Sequence, residues 1–372
     1  MKLFKHFLAV LLVLSFQFVK VEAQAAQDNP VLFAVARMNH GHISFILDRV
    51  KKGSPDYRLA GIYEPDQELV RKYSKTYNLD SSLFYDNLDK MLEEVKPEAV
   101  LAFGPTFDHL SVVEACAPRG IHVMVEKPLA VSMNHATKMK ALADRYKIHL
   151  LVNYETSWYP STAKAWQLLN DSTIAGTLRK VVVHDGHEGP VEIGTSKEFR
   201  SWLTDPVLNG GGALTDFGCY GANLMTYLTN GIQPLSVTAI TRQLKPLVYP
   251  KVDDDAVIIV SYPESECIIQ ASWNWPFSRK DMEIYGDKGY IMADNNYDIR
   301  VKTAATRNEV KRRITANDIE VYEDPFSYFA GVIRGRIKMR NYNPYSIENN
   351  MIVVKILDAA RKSAKTGKSI RL

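Results

Sequence analysis

Apolar and polar positions along this chain follow two regimes that meet near residue 154. Val31 to Ala36 reads as a strand and Ile43 to Val50 as an amphipathic helix. Leu59 to Tyr63 and Gln67 to Tyr77 repeat that pair, as do Val100 to Phe103 with Leu110 to Ala117, and Ile121 to Val125 with Ala136 to Tyr146. His149 to Val152 closes the series. Short apolar runs alternating with helices of this length are βαβ units, so the first half predicts an α/β, doubly wound parallel sheet. Beyond Tyr154 a helix (Ala163 to Leu169), a strand (Lys180 to Val183) and a Gly-rich helix start (Gly210 to Leu228) come first. Strands then follow in succession at Leu235 to Ile240, Ala256 to Tyr262, Cys267 to Trp275 and Met282 to Tyr285, the last before a Gly286-Asp287-Lys288-Gly289 turn. That order predicts an α+β unit with a large mixed, mostly antiparallel sheet, and a closing amphipathic helix runs from Ile347 to Ala364. The expected units are residues 30–153 and 154–372.

Composition agrees with about two folded domains: 372 residues, 46% hydrophobic and 24% charged. A net charge of +4 without a Lys/Arg block gives no footprint for nucleic acid. Lys2 and Lys5 precede an apolar run from Phe7 to about Phe18, with small residues at Val21-Glu22-Ala23. This is the form of a Sec-type signal peptide over residues 1–23, too short for a membrane span, so export to a periplasm or beyond is expected, with no span left after its removal. Cys116, Cys219 and Cys267 lie in separate elements and imply no disulfide framework.

The chemistry gathers at strand ends. In doubly wound, Rossmann-type sheets ligands bind beyond the carboxyl edge, and a dinucleotide pyrophosphate sits on the first βα turn. The turn's glycine positions fall at Ala36, Met38 and Gly41, so only the third is glycine, and Asn39, His40 and His42 are candidate donors in its place. Glu64 ends the second strand, where an acid accepts ribose hydroxyls and favours NAD over NADP; an ordinary helix-start acid explains it equally well. Glu126-Lys127-Pro128 stops the strand Ile121 to Val125 with charge and a proline that can take a cis bond. A surface turn is the plainer explanation of that tripeptide alone.

Gly104-Pro105-Thr106-Phe107-Asp108-His109, Gly120-Ile121-His122-Val123 before Glu126-Lys127-Pro128, and Gly210-Gly211-Gly212-Ala213-Leu214-Thr215-Asp216-Phe217-Gly218-Cys219-Tyr220 together resemble the glucose–fructose oxidoreductase / inositol dehydrogenase / MocA family, from Val31 to the C-terminus. The resemblance implies bound NAD, with NADP fitting less well, and cofactor contacts from Ala36, Met38, Asn39, His40, Gly41, Glu64, Gly104, His109, Glu126, Lys127 and Asn153. It also implies that Lys127 polarises the reacting oxygen, with Asp216 and Tyr220 in place of the family's commoner Asp/His pair, and that the protein is a homo-oligomer. Residues i and i+4 on one helix face the same way, so Asp216 and Tyr220 are expected to meet one substrate. A cation beside the phenol would lower its pKa and make it a usable base, and Lys127 is the expected source.

Asn153, Tyr154, Trp158 and Tyr159 follow the last strand, where aromatic faces either stack on a sugar or fill the interface. His184-Asp185-Gly186-His187-Glu188 is polar enough to raise a metal site, but its spacing favours no ligand geometry. His187 is read as a substrate-binding group, with Tyr154, Trp158, Lys127, Asp216 and Tyr220, and no metal is expected. The leading expectation is an exported oxidoreductase acting on a sugar, glycoside or polyol with a tightly held, internally recycled cofactor. Two alternatives stand beside it: an NAD-dependent glycosidase working through a transient 3-keto sugar, and a non-catalytic sugar-binding protein.

Overall fold

The computed structural model describes residues 29–372 except 316, 320 and 323. The expected signal sequence, residues 1–23, lies outside the described residues. Six parallel strands form the first sheet: β1 (Val31–Ala36), β2 (Tyr57–Tyr63), β3 (Phe84–Tyr85), β4 (Ala99–Ala102), β5 (His122–Glu126) and β6 (Leu150–Asn153). Their order, β3-β2-β1-β4-β5-β6, is that of the dinucleotide-binding sheet. The chain reverses direction across the sheet between β1 and β4, which opens a crevice at their carboxyl ends. Helices α1 (Ile43–Lys52), α2 (Gln67–Tyr77), α3 (Leu88–Val95), α4 (His109–Cys116) and α5 (Met133–Tyr146) make the crossovers. The short β3 and helix α3 had no counterpart among the expected elements. Asn87 caps α3 through Lys90 N–H at 2.9 Å, and Met91 and Leu92 alone bury it.

The second sheet has nine strands, ordered β14-β13-β12-β11-β7-β10-β9-β8-β15. They are β7 (Leu178–Gly186), β8 (Ser236–Arg242), β9 (Asp255–Ser261), β10 (Glu266–Ser272), β11 (Arg279–Gly286), β12 (Gly289–Ala293), β13 (Asp298–Thr303), β14 (Val310–Arg313) and β15 (Ile370–Arg371). Only β7 and β10 run parallel, so the sheet is mixed and mostly antiparallel as expected. Helices α6 (Pro160–Leu169), α7 (Lys197–Leu203), α8 (Ala213–Asp216) and α9 (Gly218–Leu228) lie between β6 and β8 in the chain. α9 rests on β7 and β10. Its glycines permit this: a Cβ on Gly221 would come 2.6 Å from Ile269.

Two C-terminal helices tie the halves together. α10 (Pro325–Ile333) buries Phe326 and Phe329 in the core of the first sheet, where the Phe329 ring lies 5.8 Å from that of Phe33. α11 (Ile347–Thr366) packs on α9, β8 and α5 at once. Residues assigned by pattern to the second unit therefore complete the first one's core. Cys116, Cys219 and Cys267 are buried free thiols.

Candidate active site

The β1–α1 turn is built around hydrogen bonds rather than glycines. Ala36 ends β1, and Arg37 follows at φ +72°, a conformation glycine usually supplies. Phe103 N–H donates to Ala36 O and His40 N–H to Phe103 O, both at 2.9 Å, stitching the turn to the end of β4. The Met38 side chain points into the core at 0% exposure, so the missing second glycine does not place a side chain in the crevice. Met38 N–H donates to Glu64 Oε2 at 2.7 Å, and Asp66 N–H to Glu64 Oε1 at 3.0 Å. Glu64 thus holds the turn from within, and its ribose role would use only the lone pairs these bonds leave. Burial raises its pKa, against the pull of Asp66, Arg37 and Met38.

His40 departs from its expected role as a phosphate donor. Its ring is buried among His42, Phe103, Phe199 and Trp202, and Nδ1 accepts His42 N–H at 3.0 Å. Burial holds it neutral. The α7 side chains cover the turn: Trp202 Nε1–H donates to Asn39 O at 3.0 Å, and a Cβ on Gly41 would meet Phe199 at 3.5 Å.

At the end of β5, Glu126 is buried beside Asn153, its neighbour on β6, whose Nδ2 donates to Glu126 Oε1 at 2.9 Å. Trp158 Nε1–H in turn donates to Asn153 Oδ1 at 2.9 Å. Burial alone would raise the Glu126 carboxyl, but His42, His40 and the bonds from His42 and Asn153 hold it at about 2. An ionised Glu126 makes His42 Nδ1, 2.9 Å away, the donor. His40, His42 and Glu126 bring ligand-type atoms within 4.8 Å of one another. Within that cluster His40 Nδ1 accepts the His42 N–H and His42 Nδ1 donates to Glu126.

Lys127 follows, with a cis bond to Pro128. Its ammonium donates to the Asp216 carboxylate and, at 3.1 Å, to Asp216 O. Trp273 Nε1–H fixes the other carboxylate oxygen at 3.0 Å. Trp273 is the site residue that pattern reading passed over, although Cys267, Ile269, Ala271 and Trp273 alternate inward along one strand face. Burial works against charge on both Lys127 and Asp216, yet each one's field keeps the other ionised: Lys127 is shifted up and Asp216 down.

The helix expected over Gly210 to Leu228 starts at Ala213 and is broken. α8 ends at Asp216, Phe217 sits at φ −109°, and α9 begins at Gly218, so Asp216 and Tyr220 belong to different helices. Both still meet Lys127, whose ammonium lies 5.2 Å from the Tyr220 ring centroid. The expected lowering of the Tyr220 phenol fails: burial raises it well above its ordinary value, and Glu155, Cys219, Asp216 and Glu126 add to that. Lys127's charge is answered by Asp216, so the phenol stays protonated and is a donor, not a base.

His187 packs edge-on against Phe217, and its Nδ1 accepts Gly189 N–H at 2.9 Å, which leaves Nε2–H free to donate. Burial lowers its pKa, with Asp216 opposing. Tyr154 lies beneath Tyr220 at 0% exposure, rings 5.3 Å apart, and so supports the pocket rather than touching a sugar. Trp158 stacks on Tyr345 at 5.2 Å, which occupies one ring face. With His42, Asn153, Glu155, Tyr159 and Tyr297 it lines a cavity of about 310 Å³ between the two halves. His109 begins α4 without capping it; Nδ1 meets Leu129 O at 3.1 Å, and burial lowers its pKa to about 4.

The crevice fits a dinucleotide. Arg37 Nε, Asn39 Oδ1 and His109 Nε2 are buried with no hydrogen-bond partner. A Cβ on Gly104 would come 3.0 Å from Arg37 and 3.9 Å from Asn39 Oδ1, so glycine there lets a ligand approach the backbone. Residues 40–154 match the family model described as "Oxidoreductase family, NAD-binding Rossmann fold", and residues 162–292 match "GFO/IDH/MocA C-terminal domain". The chain belongs to the Gfo/Idh/MocA family. It is therefore an NAD(P)-dependent oxidoreductase. Among relatives of this Gfo/Idh/MocA protein, the rhizopine catabolism protein MocA of Rhizobium meliloti is 30% identical over 46% of this chain, a match spanning half of that protein's length. The D-xylose 1-dehydrogenase [NADP(+)] of Haloarcula marismortui is 20% identical over 94% of this chain and 96% of its own. The crystal structure of aldose-aldose oxidoreductase from Caulobacter crescentus superposes with a TM-score of 0.76 at 20% identity, covering 92% of this chain and all of that one. An inositol dehydrogenase homologue from Azotobacter vinelandii, complexed with NAD+, superposes at 0.77 with 16% identity, covering 92% and 98%.

Proposed function

We propose that this protein is an exported dehydrogenase of sugars, glycosides or polyols that keeps its nicotinamide cofactor bound between turnovers. The observation that carries the reading is the buried Lys127–Asp216 pair at the carboxyl edge of the first sheet, held by Trp273 and backed by Tyr220. A bound nicotinamide supplies hydride transfer at a hydroxyl-bearing carbon. Lys127 holds the reacting oxygen and stabilises charge that develops there. Asp216 keeps the lysine charged and aimed. Tyr220 and His187 Nε2–H, both neutral donors, hydrogen-bond the substrate oxygens, while the Lys127–Asp216 pair takes up the hydroxyl proton as hydride leaves and returns it in the reductive direction. Arg37, Asn39, Gly104 and His109 hold the dinucleotide. NAD is the preferred form, since Glu64 ends β2; Arg37, 3.8 Å from that carboxylate, is the feature that would admit a 2′-phosphate.

Export supports a retained cofactor, because no cytosolic pool replenishes it outside. Ile240, Val257 and Ile259 are 61%, 37% and 38% exposed on the outer face of the nine-stranded sheet, a patch suited to pairing with a second copy. Sedimentation should find a homo-oligomer that Ile259→Glu dissociates; a wild-type monomer at micromolar concentration would end that part of the reading. The function is tested by adding neutral sugars and glycosides to the purified protein and following nicotinamide absorbance. Reduction by at least one of them is expected. No response across a broad panel, with cofactor demonstrably bound, would refute the dehydrogenase reading.

A further inference from the structure

The Asp185 carboxyl, beside the pocket, has no hydrogen-bond partner among the described residues. Along β7, Val181, Val183 and Asp185 face the same way, toward α9, and all three are 0% exposed. A carboxyl therefore stands where the row calls for another valine. Both Asp185 oxygens are buried without a hydrogen bond. Its cross-strand neighbours are Ala271 on β10 and Lys280 on β11. Ala271 offers no polar group. Lys280 donates to Glu155 instead, with its ammonium 5.5 Å from the Tyr220 ring on which Lys127 also bears.

Glu155 also accepts the Tyr159 hydroxyl at 2.5 Å, and both residues line the 310 Å³ cavity. Asp185 lies in the field of Glu155, Tyr159 and Lys127 and, at 0% exposure, is closed to solvent like the Lys127–Asp216 pair, at 7% and 4%. The cations around the pocket are already matched. Lys127 has Asp216, Lys280 has Glu155, Arg49 has Asp324 and Arg279 has Asp281. An unpaired buried carboxyl is costly, and such a group persists where function needs it.

We infer that Asp185 receives a hydroxyl of the substrate, and that the substrate is an uncharged sugar or polyol, not a sugar acid or sugar phosphate. This rests on the function proposed above and narrows its substrate class. A hydroxyl satisfies either carboxyl oxygen as donor or acceptor. An anionic substituent would find the nearby lysines and arginines engaged and would face the Glu155 carboxylate. Burial already pushes Asp185 well above the ordinary carboxylate range, with Asp281 and Glu155 adding to the rise and Lys280 and Lys127 opposing it. Cys219 and Tyr159 complete the groups in its field.

The test gives cofactor-loaded protein a panel of neutral sugars, methyl glycosides and inositol beside the matching uronates and 6-phosphates, following nicotinamide reduction. Neutral compounds should be favoured by about a hundredfold or more in kcat/KM, the range a site shows when a group would be left unpaired or repelled. Asp185→Asn should raise KM for the neutral substrate at least tenfold and change kcat less. Melting without substrate separates this from a structural role. A carboxyl whose pKa is raised on folding loses stability as pH climbs from its unfolded value through its folded one. Asp185→Asn should therefore melt higher than wild type at alkaline pH, and Asp185→Val, which completes the valine row, should melt higher still and bind no sugar. Preference for an anionic sugar, or an Asp185→Asn protein with unchanged KM and melting, overturns the inference and leaves the dehydrogenase standing. Absence of nicotinamide reduction with any compound overturns both.

Discussion

Lys127 and Asp216 define the site at the scale of single residues, because neither charge has solvent to fall back on. Removing one member leaves the other buried and unpaired, at a cost of about 3–5 kcal/mol. Lys127→Ala should therefore abolish turnover and lower stability together. The double change Lys127→Met with Asp216→Asn should recover most of the stability and none of the activity, read by denaturant unfolding beside turnover. A single Lys127→Ala protein with near-normal turnover would remove the lysine from the mechanism. Lys127 and Asp216 were legible as a pair from their two motifs. The orientation of His40 and Glu64 was not. Both occupy the positions expected of cofactor contacts, yet His40 turns inward against Phe199 and Trp202, and Glu64 bonds its own turn. His40's direction depends on α7, a helix that carried no periodic signal, and Glu64's on the Met38 and Asp66 amides.

Elements set where those residues stand. The triple-glycine start of α8 packs against the loop before β9: Gly212 N–H donates to Asp253 Oδ1 at 3.0 Å and Leu214 N–H to Oδ2 at 2.7 Å. A Cβ on Gly212 would lie 1.8 Å from Asp253 O, backbone that cannot step aside. Gly212→Ala should cost about 1–3 kcal/mol by overpacking and displace Asp216, so activity should fall further than stability does. Equal, small losses in both would show that Asp216 is placed by something else. Apart from β3 and α3, the alternation of strands and helices in the first half was read from sequence to within a few residues, because strands buried on both faces are continuous apolar runs. The break at Phe217 was invisible, since a helical period passes unchanged through one distorted residue. Strands β12 to β14 were missed for other reasons: β13 and β14 are polar and defined by pairing rather than burial, and β12 is a run of only five residues straight after the Gly286–Gly289 turn.

Across the whole molecule, buried histidines set the response to acid. His109 and His122 are lowered to about 4 by burial, and His40 is lowered as well. Each is neutral when folded and takes up a proton once unfolded, so the stability they confer is full above the ordinary histidine value of about 6.5 and drains away as pH falls toward 4. Melting temperature should decline through that window, and His109→Gln should flatten the decline; an unaltered slope would place the acid sensitivity elsewhere. The two halves share one crevice, closed by α7 on one side and bounded by the Glu155–Lys280 pair on the other. The proposed function requires a dinucleotide held at the β1–β4 switch point beside Lys127. Denaturing the purified protein and assaying the supernatant for nicotinamide dinucleotide tests that most directly. Near-stoichiometric NAD(H) or NADP(H) is the predicted result. Protein that releases none, and whose melting temperature does not move when either dinucleotide is added, would contradict it.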